Sequence, residues 1–257
     1  MKKILDYHVH SNWSLDSILK VSDAIRFAEK RNLQEIAFTE HLDIGFPKNG
    51  SAIINIPSYM KELDRYQKNT GVKILKGIEV GITESNLLES QKIVSKFNFD
   101  FVIASAHAND IVPFCSIKAK LYYEDKLLES YLKHILFVVK NFKNFNTLGH
   151  LDYLLRYHKL SVNDLMSFKT LVDEILGTLI EKDKAIEVNT KKYTQETHRN
   201  FKPVLKRFYS LGGKWITFGG DAHKKTTIGN YFFEANTIIN EVGISNFARY
   251  SNGNWVL

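Results

Sequence analysis

The chain has 257 residues, 44% of them hydrophobic and 25% charged, which suits a globular enzyme with a sizeable buried core. Its 35 basic and 28 acidic side chains give a net charge of +7 and favour anionic partners, but the lysines are scattered, with no long basic tract or basic amphipathic helix of a nucleic-acid or membrane surface. The only cysteine, Cys115, excludes an intrachain disulfide; Asp6 and His8 precede any apolar leader, and no run approaches the ~18 apolar residues of a membrane span, so a reducing, cytoplasmic setting is expected.

Short β-rich runs alternate with longer amphipathic segments from end to end, the pattern of βα units. The first run, residues 4–8, leads into His8-Val9-His10, and strand alternation points both imidazoles to one side. Asp16 lies in the following loop. A helix is expected over 22–31 with Ser22 as its N-cap, then a strand at 35–39 followed by His41. Residues 43–57, with Gly45, Pro47, Gly50 and Pro57, read as a long loop. A helix at 58–69 and a strand at 73–78 follow, with Glu79 just after the strand. The next pairs are helix 87–96 with strand 100–105, and helix 124–142 with strand 146–149; His107 and His150 come directly after these strands. Helix 162–181, strand 185–188, helix 201–211 and strand 214–218 complete the series, with Gly212-Gly213 ending the last helix and Asp221 and His223 following the last strand.

In (β/α) barrels the active site sits at the C-terminal ends of the strands, where every one of these side chains falls. An open doubly wound sheet would spread seven strand ends along an edge, whereas a barrel gathers them into one mouth. No repeat, low-complexity tract or Pro/Gly linker suggests a second folding unit. The expectation is therefore one α/β domain over residues 1–257, a TIM-barrel-like (β/α) barrel with a metal site at the C-terminal ends of its strands.

His8, His10, His41, His107, His150 and His223, with Asp16, Glu79 and Asp221, form a mixed imidazole and carboxylate set suited to Zn²⁺, Mn²⁺ or Fe²⁺. One ion needs three or four protein ligands, so nine candidates point to two or three ions sharing a bridging carboxylate and a bridging water. His134 sits on a helical pattern and reads as structural; His158 and His198 lie in loop-like sequence.

These segments resemble the polymerase-and-histidinol-phosphatase (PHP) family, and within it the histidinol-phosphate phosphatase branch. The matching strings are Asp6-Tyr7-His8-Val9-His10-Ser11, Asp16, Thr39-Glu40-His41-Leu42-Asp43, Gly77-Ile78-Glu79, Ser105-Ala106-His107, Gly149-His150-Leu151-Asp152, Glu187-Val188-Asn189-Thr190 and Gly219-Gly220-Asp221-Ala222-His223, in family order along almost the whole chain. The resemblance implies a distorted seven-stranded (β/α) barrel with a trinuclear centre. His8, His10, Glu79 and Asp221 would hold the first ion. Glu79 would bridge to a second, also held by His107 and His150, while Asp16, His41 and His223 would hold the third. Asp16 and the Thr-Glu-His-Leu-Asp string point to the histidinol-phosphatase branch, since several other branches carry histidine in place of Asp16.

The implied activity is hydrolysis of L-histidinol phosphate to L-histidinol and inorganic phosphate in histidine biosynthesis, with a metal-bridging hydroxide as nucleophile. Metal ions suit phosphomonoester hydrolysis because they lower the pKa of water and neutralise phosphoryl oxygens. A planar guanidinium then clamps phosphate better than an ammonium, and Arg156 matches a phosphate-binding arginine of the family. Relatives carry a second arginine a few residues after the Asn-Thr pair, where this chain reads Lys191-Lys192-Tyr193-Thr194. Arg199 or Lys192 could serve instead, and His158 or a metal-bound water could protonate the leaving alcohol. Glu40, Asp152 and Asn189 neighbour ligand positions and are candidates to orient imidazoles, while Asp43 or Asp110 could meet a cationic substrate.

Two other functions fit parts of the pattern. One is a PHP-type phosphoesterase acting on nucleotides or nucleic-acid ends, but no attached polymerase or aromatic-interleaved basic stripe accompanies the cluster. The other is a non-catalytic metal-binding domain, but structural zinc sites are usually closed with four ligands, unlike this shared set. The expected partner is a small-molecule phosphate ester, with no nucleic acid or membrane; oligomeric state is not legible.

Overall fold

A computed structural model describes residues 4–45, 54–116, 119, 121–191, 193, 201–251 and 254–257. Seven parallel strands pair in chain order: β1 (Ile4–Val9), β2 (Leu33–Leu42), β3 (Lys73–Gly81), β4 (Phe101–Ser105), β5 (Thr147–Leu148), β6 (Ala185–Asn189) and β7 (Ile216–Gly219). Beyond the end of β7 the His10 amide donates to the Ala222 carbonyl (2.9 Å), and the Ala222 amide donates to that of His8 (3.1 Å). This short parallel bridge brings the last strand back to the first, and the sheet becomes a nearly closed barrel.

Helices α1 (Val21–Lys30), α2 (Ile56–Gln67), α3 (Leu87–Lys96), α4 (Glu124–Asn141), α5 (Val162–Ser167), α6 (Lys169–Glu181), α7 (Lys202–Ser210) and α8 (Phe232–Val242) lie along the chain between and after the strands. Every residue of β4 and β6 is buried, as expected where helices cover a parallel sheet. The main apolar cluster joins Leu75, Ile103 and Val188 of the strands to Leu132 of α4, Val172 of α6 and Leu205 of α7. No helix among the described residues is long and apolar enough to cross a membrane.

Several expectations shift. β2 and β3 run past residues 39 and 78, so His41 and Glu79 lie inside paired strand, opposite each other in register. β5 keeps only Thr147–Leu148. The expected 162–181 helix breaks at Phe168, and Ser161 opens α5 with a capping box to Asp164. Ser22 is not a cap: Lys20 occupies that position and offers no side-chain bond. Gly212 does end α7, taking φ +96°, which costs glycine nothing.

α8 and an antiparallel hairpin of β8 (Arg249–Ser251) and β9 (Asn254–Val256) were not anticipated. The hairpin meets the starts of the barrel strands. The Tyr250 amide donates to the Tyr7 hydroxyl (3.0 Å), Lys73 Nζ donates to the Tyr250 carbonyl (2.7 Å), and Trp255 packs near Phe101 and Trp215. One end of the barrel is thus sealed, and the ligand-type residues gather at the other.

Candidate metal centre

Alternation along β1 places His8 and His10 on one side, both fully buried, with their Nε2 atoms 3.0 Å apart. Glu79, at the matching depth of β3, is the hub. Its Oε1 is 2.8 Å from His150 Nε2 and 3.2 Å from His107 Nε2, and it accepts the Ser105 hydroxyl at 2.7 Å. Its Oε2 lies 3.1 Å from His41 Nδ1, 3.2 Å from His8 Nε2 and 3.4 Å from His10 Nε2.

Asp221 follows β7 in the left-handed backbone region (φ 47°), which asparagine and aspartate tolerate better than other non-glycine residues. Its Oδ1 is 3.6 Å from His10 Nε2 and 3.9 Å from His8 Nε2. Toward solvent, Asp16 Oδ2 is 2.9 Å from His223 Nε2 and 3.4 Å from His41 Nε2, and the His10 ring lies between those of His41 and His223, at 4.2 and 4.4 Å. All nine sequence candidates therefore converge.

A second layer orients the rings. Glu187 Oε1 is 2.7 Å from His8 Nδ1 and Asp43 Oδ1 is 3.0 Å from His107 Nδ1; a carboxylate accepts there, so each ring donates from Nδ1 and turns Nε2 inward as its ligating atom. Gly219 makes room for this: a Cβ there would collide with the Glu187 carboxylate and with His8 Cβ. Gly81 likewise leaves space for Asp43.

The electrostatics call for cations. Burial opposes charge on His8, His41 and His107, but the neighbouring carboxylates outweigh it and hold all three imidazoles well above their ordinary pKa. His10 is pushed well below, by burial and then by His41, His223 and His8. Burial would raise Glu79, yet the imidazoles of His8, His107 and His41 hold it well below the usual carboxylate range. Protons here stand in for denser positive charge. Among the described residues, the buried atoms Glu79 Oε2, His41 Nδ1 and His150 Nδ1 make no well-formed hydrogen bond, the first two meeting only as an ion pair at 3.1 Å, an arrangement a protein rarely tolerates unless a ligand completes it. Several triads of donor atoms lie within 4.8 Å of one another, among them His8, His10, Glu79; Glu79, His107, His150; His10, His41, His223; and His41, Asp43, His107. The donor set is hard-to-borderline oxygen and imidazole nitrogen, and it fits divalent metal.

Arg156, in a 3-10 turn at Tyr153–Arg156 after β5, reaches Asp221 Oδ2 with Nη1 (3.1 Å). Its Nη2 is 3.7 Å from Asp152 Oδ1, and among the described residues both Nη2 and Nε are buried without a hydrogen-bond partner. Burial works against its charge, but Asp152 and Asp221 raise its pKa above even the normal guanidinium value.

His158 is placed differently: its Nε2 lies 3.0 Å from the Phe114 carbonyl and donates there, a bond to the loop after β4. Lys192 and Arg199 lie outside the described residues. Lys191 was overlooked, yet its Nζ sits 3.0 Å from Asp221 Oδ1 and 3.3 Å from His223 Nδ1. Glu187 was also missed as a partner, although Glu187 and Asn189 alternate on β6 as His8 and His10 do on β1. Of the expected orienting residues, Asn189 Nδ2 donates to Glu187 Oε2 (3.1 Å) and Glu40 accepts from Ser11 and Ser14. Asp43 faces His107 and His41 inside the cluster, and Asp110 accepts from the Ser85 amide and hydroxyl. His134 donates through Nε2 to the Ile82 carbonyl within the packing of α4.

Fold and site together define a β/α barrel with a buried cluster of imidazoles and carboxylates whose donor atoms could hold metal ions. The PHP domain family matches residues 6–191, and the chain belongs to that family. It is 36% identical over 261 residues to a histidinol-phosphatase of Lactococcus lactis subsp. lactis, covering 98% of this chain and 95% of the relative. It is 31% identical over 236 residues to a probable histidinol-phosphatase of Clostridium acetobutylicum, covering 90% and 91%. Among solved structures, the histidinol phosphate phosphatase of Lactococcus lactis subsp. lactis, complexed with zinc, L-histidinol and phosphate, superposes with a TM-score of 0.91 at 32% identity over 99% of both chains. A putative histidinol phosphatase of Listeria monocytogenes shares the fold at 17% identity (TM-score 0.73, covering 89% of this chain and 99% of that one).

Proposed function

We propose that this chain is a metal-dependent histidinol-phosphatase, hydrolysing L-histidinol phosphate to L-histidinol and inorganic phosphate, with His8, His10, Asp16, His41, Glu79, His107, His150, Asp221 and His223 as ligands to two or three divalent ions, zinc foremost. The observation that carries this is the near-complete overlap with a barrel holding zinc, L-histidinol and phosphate, together with a cluster in this chain whose buried Glu79 Oε2, His41 Nδ1 and His150 Nδ1 lack well-formed hydrogen bonds among the described residues. When bound, the ions supply Lewis acidity, lowering the pKa of water and neutralising phosphoryl oxygens.

The protein's own side chains do the rest. Glu187 and Asp43 keep the Nε2 atoms of His8 and His107 free to ligate. Glu79 and Asp221 place concentrated negative charge where cations must sit. Arg156 spends one N–H on Asp221 and keeps Nε and Nη2 for two phosphoryl oxygens, a bidentate clamp held in low dielectric. Lys191, on the other side of Asp221, is the second phosphate cation in place of the relatives' arginine. An ammonium has no fork, so it neutralises without fixing orientation. His158 Nε2 donates to the Phe114 carbonyl, and so engaged that nitrogen does not protonate the leaving alcohol.

A panel of phosphate esters tests this: L-histidinol phosphate, simple sugar and serine phosphates, nucleoside monophosphates and a 3′-phosphorylated oligonucleotide, each with zinc, manganese or iron added. Histidinol phosphate should show kcat/KM at least about tenfold above every other ester, about 1.4 kcal/mol of discrimination. A preference for the nucleotides or the oligonucleotide would overturn the substrate assignment.

A further inference from the structure

At Nδ1, where His8 and His107 each meet a carboxylate, His10 instead faces the Ser14 hydroxyl at 3.3 Å. That hydroxyl donates to Glu40 Oε2 at 2.5 Å. Glu40 is fully buried on β2, and it takes three further contacts, all from donors: the Ser11 amide at 3.0 Å to each oxygen, and the Ser11 hydroxyl at 2.6 Å. The His41 amide also donates to Ser14 Oγ, at 3.1 Å.

With Glu40 ionised, proton counting gives the direction of the chain. A serine hydroxyl has one proton and two lone pairs. Ser14 gives its proton to Glu40, and one lone pair takes the His41 amide. Only a lone pair is left for His10, so Nδ1 must be the donor and Nε2 must be bare.

We propose that Glu40 acts through Ser14 as a positioning pair that holds His10 in the Nδ1–H tautomer, so that its Nε2 faces that of His8 across 3.0 Å as a preset half of a metal site. Facing each other at that distance, the two Nε2 atoms need a proton or a cation between them. Glu187 holds one directly and Glu40 holds the other by relay, and the frame keeps the pair in place before metal arrives. The inference rests on the metal-centre reading above and adds two residues that touch no ion.

The test is zinc affinity of the full chain, measured by chelator competition, for wild type, Ser14→Ala, Ser14→Thr, Glu40→Gln and the Ser14→Ala/Glu40→Gln double variant, with melting of the metal-free forms to check folding. Ser14→Ala should bind zinc about 10- to 100-fold more weakly, the usual effect of losing an outer partner, while Ser14→Thr, which keeps the hydroxyl, should stay within about threefold of wild type. In Glu40→Gln the amide donates to Ser14, whose proton then turns onto His10 Nδ1 and favours the non-ligating tautomer. Its effect should therefore be large with Ser14 present and shrink to under about threefold in the Ser14→Ala background.

Equal affinities for wild type and Ser14→Ala would overturn the relay, as would a Glu40→Gln effect independent of Ser14. If Glu40→Gln does not fold, the comparison of Ser14→Ala with Ser14→Thr decides alone, and equal losses overturn the proposal. A wild type that takes up no zinc would overturn the relay and the metal-centre reading together, whereas a zinc-binding wild type with an unaffected Ser14→Ala overturns only the relay.

Discussion

The two ends of the barrel each bury a carboxylate, and they treat it in opposite ways. At the sealed end, Glu35 receives the Tyr7 hydroxyl on one oxygen and Nε and Nη2 of Arg249 on the other, with Lys73 Nζ 3.9 Å away. Tyr7 accepts the Tyr250 amide in turn, so the hairpin is tied to β1, β2 and β3. Glu79 at the open end is ringed by imidazoles, yet among the described residues its Oε2 meets them only as ion pairs without a well-formed hydrogen bond, and His41 Nδ1, His150 Nδ1 and two nitrogens of Arg156 likewise lack one. A closed network specifies structure; one left open while buried marks where a ligand belongs. Substitutions at the sealed end should change stability and spare the chemistry, whereas those at the open end should lower activity and touch stability only through the metal they lose.

The largest expected effect is at Glu79. Glu79→Gln removes the charge shared by the central imidazoles, and activity should fall by roughly 1,000-fold or more with loss of more than one ion per chain, read by kinetics together with metal analysis. Full metal content with unchanged turnover would remove Glu79 from the hub. Arg156→Ala comes next: metal should be retained, while kcat/KM for phosphomonoesters drops by about 30- to 1,000-fold, or ~2–4 kcal/mol. Arg156→Lys should recover only part of this, and complete recovery would mean that charge alone suffices.

At the sealed end, Arg249→Met leaves Glu35 buried with Tyr7 and the more distant Lys73. A loss of ~1–3 kcal/mol, below that of a fully buried pair because Arg249 is partly exposed, corresponds to a melting temperature lower by about 2–12 °C. Zinc content and kcat/KM should be unchanged; a proportionate loss of both would erase the distinction between the ends. Lys191→Met is the mildest, at about 3- to 30-fold in kcat/KM, because a partly exposed ammonium is screened and lacks the guanidinium fork. No change there, with a loss in Arg199→Ala or Lys192→Met, would return the second cation to the sequence-based candidates.

The open end was the more legible of the two. Ligands at strand ends announce themselves, because His8-Val9-His10 carries the two-residue period of a strand and His41, Glu79, His107, His150, Asp221 and His223 each come shortly after an apolar run. Their polarity also misled: His41 and Glu79 read as the residues that end strands, yet β2 and β3 continue through them because the partners are each other and the cluster. Contacts made across the barrel left no such trace. Nothing local marks Ser14, four residues past His10 in a loop, as the link to Glu40, or Lys191 in a Lys-Lys pair as the cation beside Asp221. The sealed end was nearly illegible, since β8 and β9 have three residues each, too few for a periodic signal, and owe their place to Tyr7, Lys73, Phe101 and Trp215 far earlier in the chain. α8 begins at Tyr231 in the left-handed region with no capping side chain, so no start signal announces it.

The central claim, that the open end is completed by metal and thereby becomes a phosphatase, is tested most directly by stripping the protein of metal and titrating zinc back while following phosphate release from L-histidinol phosphate and the melting temperature in the same samples. Both should rise together: release from near zero to full rate, and stability by ~2.7 kcal/mol when free zinc reaches 100 times its dissociation constant, or about 5–11 °C in melting temperature. A metal-free protein that releases phosphate at the full rate, or one that zinc neither stabilises nor activates, would contradict it.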